Sequence, residues 1–149
     1  MRPTVSQIEV FLKEVDSTFP VPLSHKQELH NFAVKLYEKA TLCCAMKGDE
    51  IVAAVAGYTD DLVENIAYIS IVATRYDFRG NGLASRLLRE FVDVCRKKKI
   101  DAVHFYVAPT NAAALRLYER LGFVRWACPN ESRPDDIHMI YYIEEMGLE

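Results

Sequence analysis

Val5, Ile8, Phe11, Leu12 and Val15 recur at three- to four-residue spacing, the period of one face of an α-helix. Ser6-x-x-Glu9 reads as a capping box, so a helix is predicted from about Thr4 to Asp16. Phe19-Pro20-Val21-Pro22 interrupts it as an interhelical turn. Ser24-x-x-Gln27 then opens a second helix that carries Leu29, Phe32, Ala33, Leu36, Tyr37 and Ala40. Two short apolar runs, Thr41 to Met46 and Ile51 to Tyr58, flank Lys47-Gly48-Asp49-Glu50 and predict a β-hairpin. Ile66 to Ala73 is almost continuously apolar and β-branched, as in a strand covered on both faces near the middle of a sheet.

A glycine-containing loop, Arg75 to Gly82, follows that strand. Ala84, Leu87, Leu88, Phe91, Val92 and Cys95 next repeat at helical spacing, and Arg96-Lys97-Lys98-Lys99 places positive charge where the helix dipole favours it. Val103, Phe105 and Val107 make a strand, and Thr110 to Leu121 a further helix with Gly122 at its αL cap. Phe123 to Cys128 and Ile137 to Ile143 close the series around a polar loop at Pro129 to Asp136. The alternation describes an α/β fold, a mixed α+β sheet with helices on its faces, forming one domain over residues 1–149. Tyr37 and Trp126 are expected in its core.

Composition narrows the function. The 149 residues are 50% hydrophobic and 26% charged, an ordinary globular balance. A net charge of −3 argues against a protein whose affinity comes from neutralising nucleic-acid phosphates. No apolar run approaches the roughly 20 residues of a membrane helix, and Met1-Arg2-Pro3-Thr4 opens no secretory h-region, so a cytoplasmic location without membrane association is expected. Cys43, Cys44, Cys95 and Cys128 form no CxxC pair and lie in apolar segments, which fits reduced core thiols. No His/Cys/Asp cluster has metal spacing.

Arg79-Gly80-Asn81-Gly82-Leu83-Ala84 lies between a strand and a helix, so backbone N–H groups and the positive end of the helix dipole converge on one place. Small residues at 80, 82 and 84 let a bulky diphosphate approach the main chain. A P-loop would need Lys and Ser or Thr after Gly82, where Leu83 and Ala84 stand; the dinucleotide fingerprint fails at Ser85. Arg75 to Lys99 holds eight basic and three acidic residues, a local +5 that suits a ligand with more than one phosphate. A tight turn beside a solvated basic helix end is the competing reading. Asn111 opens the next helix and Tyr118 stands two turns along its face. A helix cap with a core aromatic, or a ligand contact with a site residue, are both open for this pair.

Taken together, Arg79-Gly80-Asn81-Gly82-Leu83-Ala84 and the run Asn111 to Ala114 followed by Leu117-Tyr118-Glu119-Arg120-Leu121-Gly122-Phe123 resemble the two main motifs of the GNAT superfamily of acyl-CoA-dependent N-acyltransferases. The resemblance implies a splayed, mostly antiparallel central sheet flanked by helices. It implies that the main chain of Ile71, Val72 and Ala73 pairs with pantetheine and that Arg79, Gly80, Asn81, Gly82, Leu83 and Ala84 cradle the pyrophosphate, with a hydroxyl added by Ser85. Asn111 would bind near the pantetheine, Arg120 would reach phosphate, and Tyr118 would be the general acid for the departing thiolate. Acetyl-CoA is the implied co-substrate, with no metal.

The implied reaction is acetyl transfer to a primary amine of a small molecule or peptide, by direct attack through a tetrahedral intermediate. The Val72 N–H would face the developing oxyanion. Some relatives carry a Glu base on the splayed strand, where this chain has Ile66; Glu64, two residues earlier, shares its face if the strand begins early, as do Tyr68 and Ser70. Glu64 is therefore the candidate base, and His138 a weaker one, while His25, His30 and His104 read as surface or core polar groups. Asp60, Asp61, Glu64 and the −5 balance of residues 130–149 would attract a cationic acceptor, and Phe19, Pro20 and Pro22 would wall it. A homodimer stays open. The rival readings are a non-catalytic acyl-CoA-binding or regulatory module and, disfavoured by charge, a nucleic-acid binder at Arg96 to Lys99.

Overall fold

The computed structural model describes residues 2–19, 21–127 and 133–143. In chain order these form α1 (Val5–Val15), α2 (Leu29–Lys39), β1 (Thr41–Lys47), β2 (Glu50–Tyr58), β3 (Ile66–Thr74), α3 (Leu83–Lys97), β4 (Ala102–Val107), α4 (Ala112–Arg120), β5 (Val124–Arg125) and β6 (Ile137–Tyr142). The six strands make one sheet in the order β1-β2-β3-β4-β6-β5. Every neighbouring pair is antiparallel except β3 and β4.

Apolar faces decide the layers. Ile8, Phe11, Leu12 and Val15 of α1 and Phe32, Ala33 and Leu36 of α2 bury against Ile51, Ala54 and Ala56 of β2 on one side of the sheet. Leu87, Leu88, Phe91 and Cys95 of α3, with Leu115 and Tyr118 of α4, bury against the other. Tyr37 departs from the sequence expectation: it is exposed on α2, with the Arg2 guanidinium 4.3 Å above its ring. Cys43 and Cys95 are core thiols as expected, pushed up to about 11 and about 12 by burial, and Cys44, half-buried, to about 11. Cys128 lies outside the described residues.

The caps fall two residues before Ser6 and four after Ser24. Thr4 caps α1, its hydroxyl accepting from Gln7 N–H while the Gln7 side chain accepts from Thr4 N–H. Glu28 caps α2 through its carboxylate. Ser24 is used differently: its N–H and hydroxyl both donate to the Asp16 carboxylate, at 2.8 and 2.6 Å, and so shape the α1–α2 connection.

A β-bulge controls which way β3 faces. Ala56 pairs with Ile71 but Gly57 with Ile69, leaving Ser70 as the extra residue. Ala67 and Ile69 therefore join the core under α3, whereas Ile71 and Ala73 join the one under α1 and α2. Gly57 is required beside this bulge, because a Cβ there would stand 2.5 Å from the Tyr68 carbonyl oxygen and 2.6 Å from Phe91 Cζ. Gly57→Ala is expected to lower unfolding free energy by about 3 kcal/mol in urea titrations, the scale of a strained overpacked core.

Candidate active site in the split sheet

β3 and β4 pair only from Ile66 to Tyr68 against Ala102 to His104. Beyond Tyr68 the strands diverge, and the gap is a cleft of about 200 Å³ whose walls include Ser70, Ile71 and Val72 on one side and Tyr106, Val107 and Asn111 on the other. In an antiparallel ladder, residues whose N–H and C=O bond to the neighbour alternate with residues that turn both away. Arg75 N–H donates to the Val52 carbonyl at 2.9 Å, next to the Ala53–Thr74 pair. Counting back by twos, Ala73 and Ile71 turn their peptide groups to β2, and Thr74 and Val72 turn theirs to the gap. The Thr74 carbonyl is placed accordingly, accepting from Arg79 Nε at 3.3 Å. Of the three strand residues expected to bond an extended ligand, Val72 alone presents its main chain, and Thr74 joins it. The alternation of strand peptide groups is the signal that would have found Thr74.

The glycine loop meets the same cleft edge. Gly80 and Gly82 hold φ of 84° and 73°, conformations that glycine adopts without strain, and a Cβ at either would meet nothing within 4 Å. Gly82 is the N-cap of α3 and supplies no side chain to it. The N–H groups of the first turn, Leu83, Ala84 and Ser85, consequently find no acceptor among the described residues. Asn81 is fixed by its amide donating to the Phe78 carbonyl at 3.1 Å. An open, uncapped, backbone-lined cradle fits a diphosphate.

The charge around it is smaller than the sequence count suggests. Arg96 and Lys98 lie at the far end of α3, about 22 Å from its first turn, where they pair with Asp93 and Asp60 at 2.6 and 2.7 Å. Arg75 is shared among Glu50, Asp77 and Glu14. Arg79 is an exposed cation that borders the cradle, and Arg86 on the first turn of α3 is exposed beside its partner Glu90.

α4 brings both of its sequence candidates to the cleft. Asn111 caps the helix, its Oδ1 accepting from Ala114 N–H at 3.3 Å, and also lines the gap. Tyr118 reaches the cleft from the core side, 7% exposed, with its ring 4.5 Å from that of Phe105. Burial pushes its phenol up to about 12, so it holds its proton throughout the neutral range. The cap and the core aromatic are both present, and both residues also line the cleft.

The sequence matches the profile described as Acetyltransferase (GNAT) family over residues 8–123. The chain belongs to the GNAT acetyltransferase family. It is similar to human N-alpha-acetyltransferase 30, 30% identical over 106 residues that make up 69% of this chain and 29% of that protein. The mycothiol acetyltransferase of Thermobispora bispora is 39% identical over 61 residues, 41% of this chain and 21% of that one. The chain thus spans less than a third of the length of either relative. In fold it matches the crystal structure of Ard1 from Thermoplasma volcanium, with a TM-score of 0.80, 19% identity and 97% of each chain covered.

At the other end of the GNAT cleft, the α1–α2 connection contributes Phe19, Val21, Leu23, Lys26 and Gln27, and the segment before β6 contributes Arg133 and Asp136. Phe19 is where the sequence placed an acceptor wall; Pro20 lies outside the described residues and Pro22 is not among those lining the cleft. Glu64 does not come to this site. β3 begins at Ile66, and Glu64 and Asn65 hold φ of 58° and 59°, so the extended spacing that would aim the Glu64 carboxylate along the strand does not exist. It is exposed at the end of the sheet where β3 and β4 are still paired. Asp61 is also exposed there, and Asp60 is tied to Lys98. Glu131, Glu144, Glu145 and Glu149 lie outside the described residues.

His30 is a surface group bonded to Glu9 at 2.6 Å and His104 a half-buried polar one, both as expected, and His104 has a histidine partner. Its Nδ1 lies 2.7 Å from His138 Nε2, across β4 and β6. Burial first, and the adjacent imidazole second, lower His104 to about 4. An unfolded His titrates near 6.5, so between those values the unfolded chain binds more protons than the folded one. Stability is expected to fall as pH drops from about 6.5 to about 4, and His104→Phe to flatten that slope in urea unfolding at pH 7 against pH 5.

Proposed function

We propose that this protein transfers an acetyl group from acetyl-CoA to a primary amine of a small molecule or peptide. The observation that carries the reading is the split beyond Tyr68, where Val72 and Thr74 turn main-chain groups into a gap that ends at an uncapped helix start. An extended pantetheine adds to such a strand edge as a further strand would. The amides and small residues from Arg79 to Ser85 hold the diphosphate, and Asn111 borders the arm on the opposite wall.

The gap also sets the chemistry. An amine entering between the α1–α2 connection and the segment before β6 attacks the thioester carbonyl at the middle of the cleft. The Val72 N–H faces the oxygen on which negative charge develops. Tyr118, kept protonated by burial, donates to the sulfur as the carbon–sulfur bond breaks. A peptide α-amine belongs in the acceptor class because the human relative is named an N-alpha-acetyltransferase, and a small-molecule amine because the mycothiol enzyme is another relative.

Release of free thiol from acetyl-CoA, measured over a panel of peptide and small-molecule amines, tests this. Amine-dependent release with formation of the acetamide is the expected result. Thermal stabilisation by acetyl-CoA without release from any amine would instead establish a non-catalytic acyl-CoA-binding module.

A further inference from the structure

Asp60, Asp61 and Glu64, which on sequence alone would draw a cationic acceptor, do not line the cleft, whereas Lys26 and Arg133 do. The two cations come from separate segments, Lys26 from the α1–α2 connection and Arg133 from the residues before β6. Both also line an adjoining hollow that shares Asp136 with the cleft and adds Pro134 and Asp135.

Each cation is placed by its own backbone. Leu23–His25 forms one helical turn, anchored by the two bonds from Ser24 to Asp16, and Lys26 closes it with its N–H donating to the Leu23 carbonyl at 3.0 Å. Arg133 opens a turn that the Asp136 N–H closes on the Arg133 carbonyl at 3.3 Å. The Arg133 guanidinium lies 5.1 Å from the centre of the Tyr106 ring, a cation–π contact with a residue of the cleft wall.

The one carboxylate in the described wall leaves most of this charge unspent. Arg133 Nη1 meets Asp136 Oδ2 at 3.6 Å, which takes one edge of a planar group with five N–H donors. The Lys26 ammonium has no acidic partner among the described residues. Asp135 is exposed and lines only the outer hollow. The described acceptor wall therefore carries two cations against one carboxylate, in a protein whose net charge is −3. A guanidinium fork takes a carboxylate in two parallel bonds, and an ammonium adds a point charge beside it. Phe19 and Val21 share the wall, and their apolar surface excludes water once an acceptor covers it, which strengthens such bonds.

Resting on the acetyl-transfer reading, we propose that the acceptor is an amine that carries a carboxylate close to its nitrogen, and that Lys26 and Arg133 select it. The carboxylate belongs either to an acidic side chain next to an N-terminal amine or to a free amino acid. Recognition is the same chemistry in both. Asp136 supplies the opposite sign in the same wall, which matches an acceptor that arrives with an ammonium and a carboxylate together.

The test is a matched panel of acceptors. Three amidated peptides differ only in Asp, Asn or Lys at the second residue, and one amino acid is compared as the free acid and as its amide. Wild type is expected to use at least one acid form about 10- to 100-fold better in kcat/KM than its neutral partner, the range for a charge-assisted hydrogen bond, with the difference mainly in KM. Raising salt from about 0.05 to about 0.5 M is expected to shrink that ratio, because partly exposed charges are screened. Lys26→Glu and Arg133→Gln are each expected to bring the ratio within about threefold of one, as exposed pairs alone contribute little. Lys26→Glu should also raise use of the Lys peptide relative to the Asp peptide. Each readout is a ratio within one preparation, so a general loss of activity or stability cancels.

A preference confined to the peptides assigns the carboxylate to a second-residue side chain, and one confined to the amino acid assigns it to a small acceptor; both support the selection. A wild-type ratio near one in both arms, a preference for the Lys peptide, or a ratio that survives both substitutions overturns it and leaves acetyl transfer standing. Release of thiol with no amine at all in the panel would sink the acetyl-transfer reading itself and the selection with it.

Discussion

Tyr118→Phe is expected to lower kcat by about 10²-fold or more, with acetyl-CoA affinity unchanged within about twofold, because a positioned general acid contributes about 10² to 10⁴. The substitution deletes one oxygen from a side chain whose ring remains packed on Phe105 and Phe123. The fold therefore has little to lose, while the thiolate loses its donor. Steady-state kinetics paired with calorimetric titration of CoA separates the two quantities. A parallel loss of binding and turnover would show that Tyr118 shapes the cleft and donates nothing. Thiols leave with difficulty as anions from a buried site, so the effect should be smaller for a thioester whose thiol is more acidic.

Gly82→Val is expected to do the opposite, raising KM for acetyl-CoA about 10- to 100-fold while kcat at saturation changes little. Hydrogen bonds from backbone amides to a charged group contribute about 1.5–3 kcal/mol each, and losing one spans that range. A Cβ at position 82 would stand in the open cradle, at φ 73°. The same φ raises the concern that Val merely strains the turn. Gly48→Val answers it: Gly48 holds φ 60° with equally open surroundings, but in the β1–β2 turn. It carries the αL cost of about 1–2 kcal/mol and no ligand contact, so its KM should stay at the wild-type value while its melting temperature falls.

Much of this arrangement was legible in the chain. The periodicities of Val5 to Val15, Leu29 to Lys39 and Leu83 to Lys97 place three helices because each buries one stripe. Tyr37 falls on such a stripe by spacing yet is exposed, while its neighbour Leu36 takes the buried position against β2. The glycine loop was readable because positive φ and close approach both demand glycine. What escaped depended on features without a residue-type signature. The bulge at Ser70 changes which face Ile71 presents, and nothing in Ile69-Ser70-Ile71 distinguishes it from plain alternation. The left-handed backbone at Glu64 and Asn65 removed a carboxylate that parity alone had aimed correctly. His104 and His138 are 34 residues apart, and only the β4–β6 register, which sets His104 opposite Ile140 and Tyr106 opposite His138, brings their rings together. A count of charges from Arg75 to Lys99 likewise could not know that four of the eight bases stand at the opposite end of a 15-residue helix.

Among the described residues, β1-β2-β3 is joined to β4-β6-β5 through three ladder pairs and the adjoining bond from Asp101 N–H to the Asn65 carbonyl at 3.0 Å. The sheet is therefore two three-stranded halves that share a short junction, with α3 packed beneath both. Anything that bonds along Val72 and simultaneously touches the start of α4 ties the two halves together on the side that the shared core under α3 leaves open.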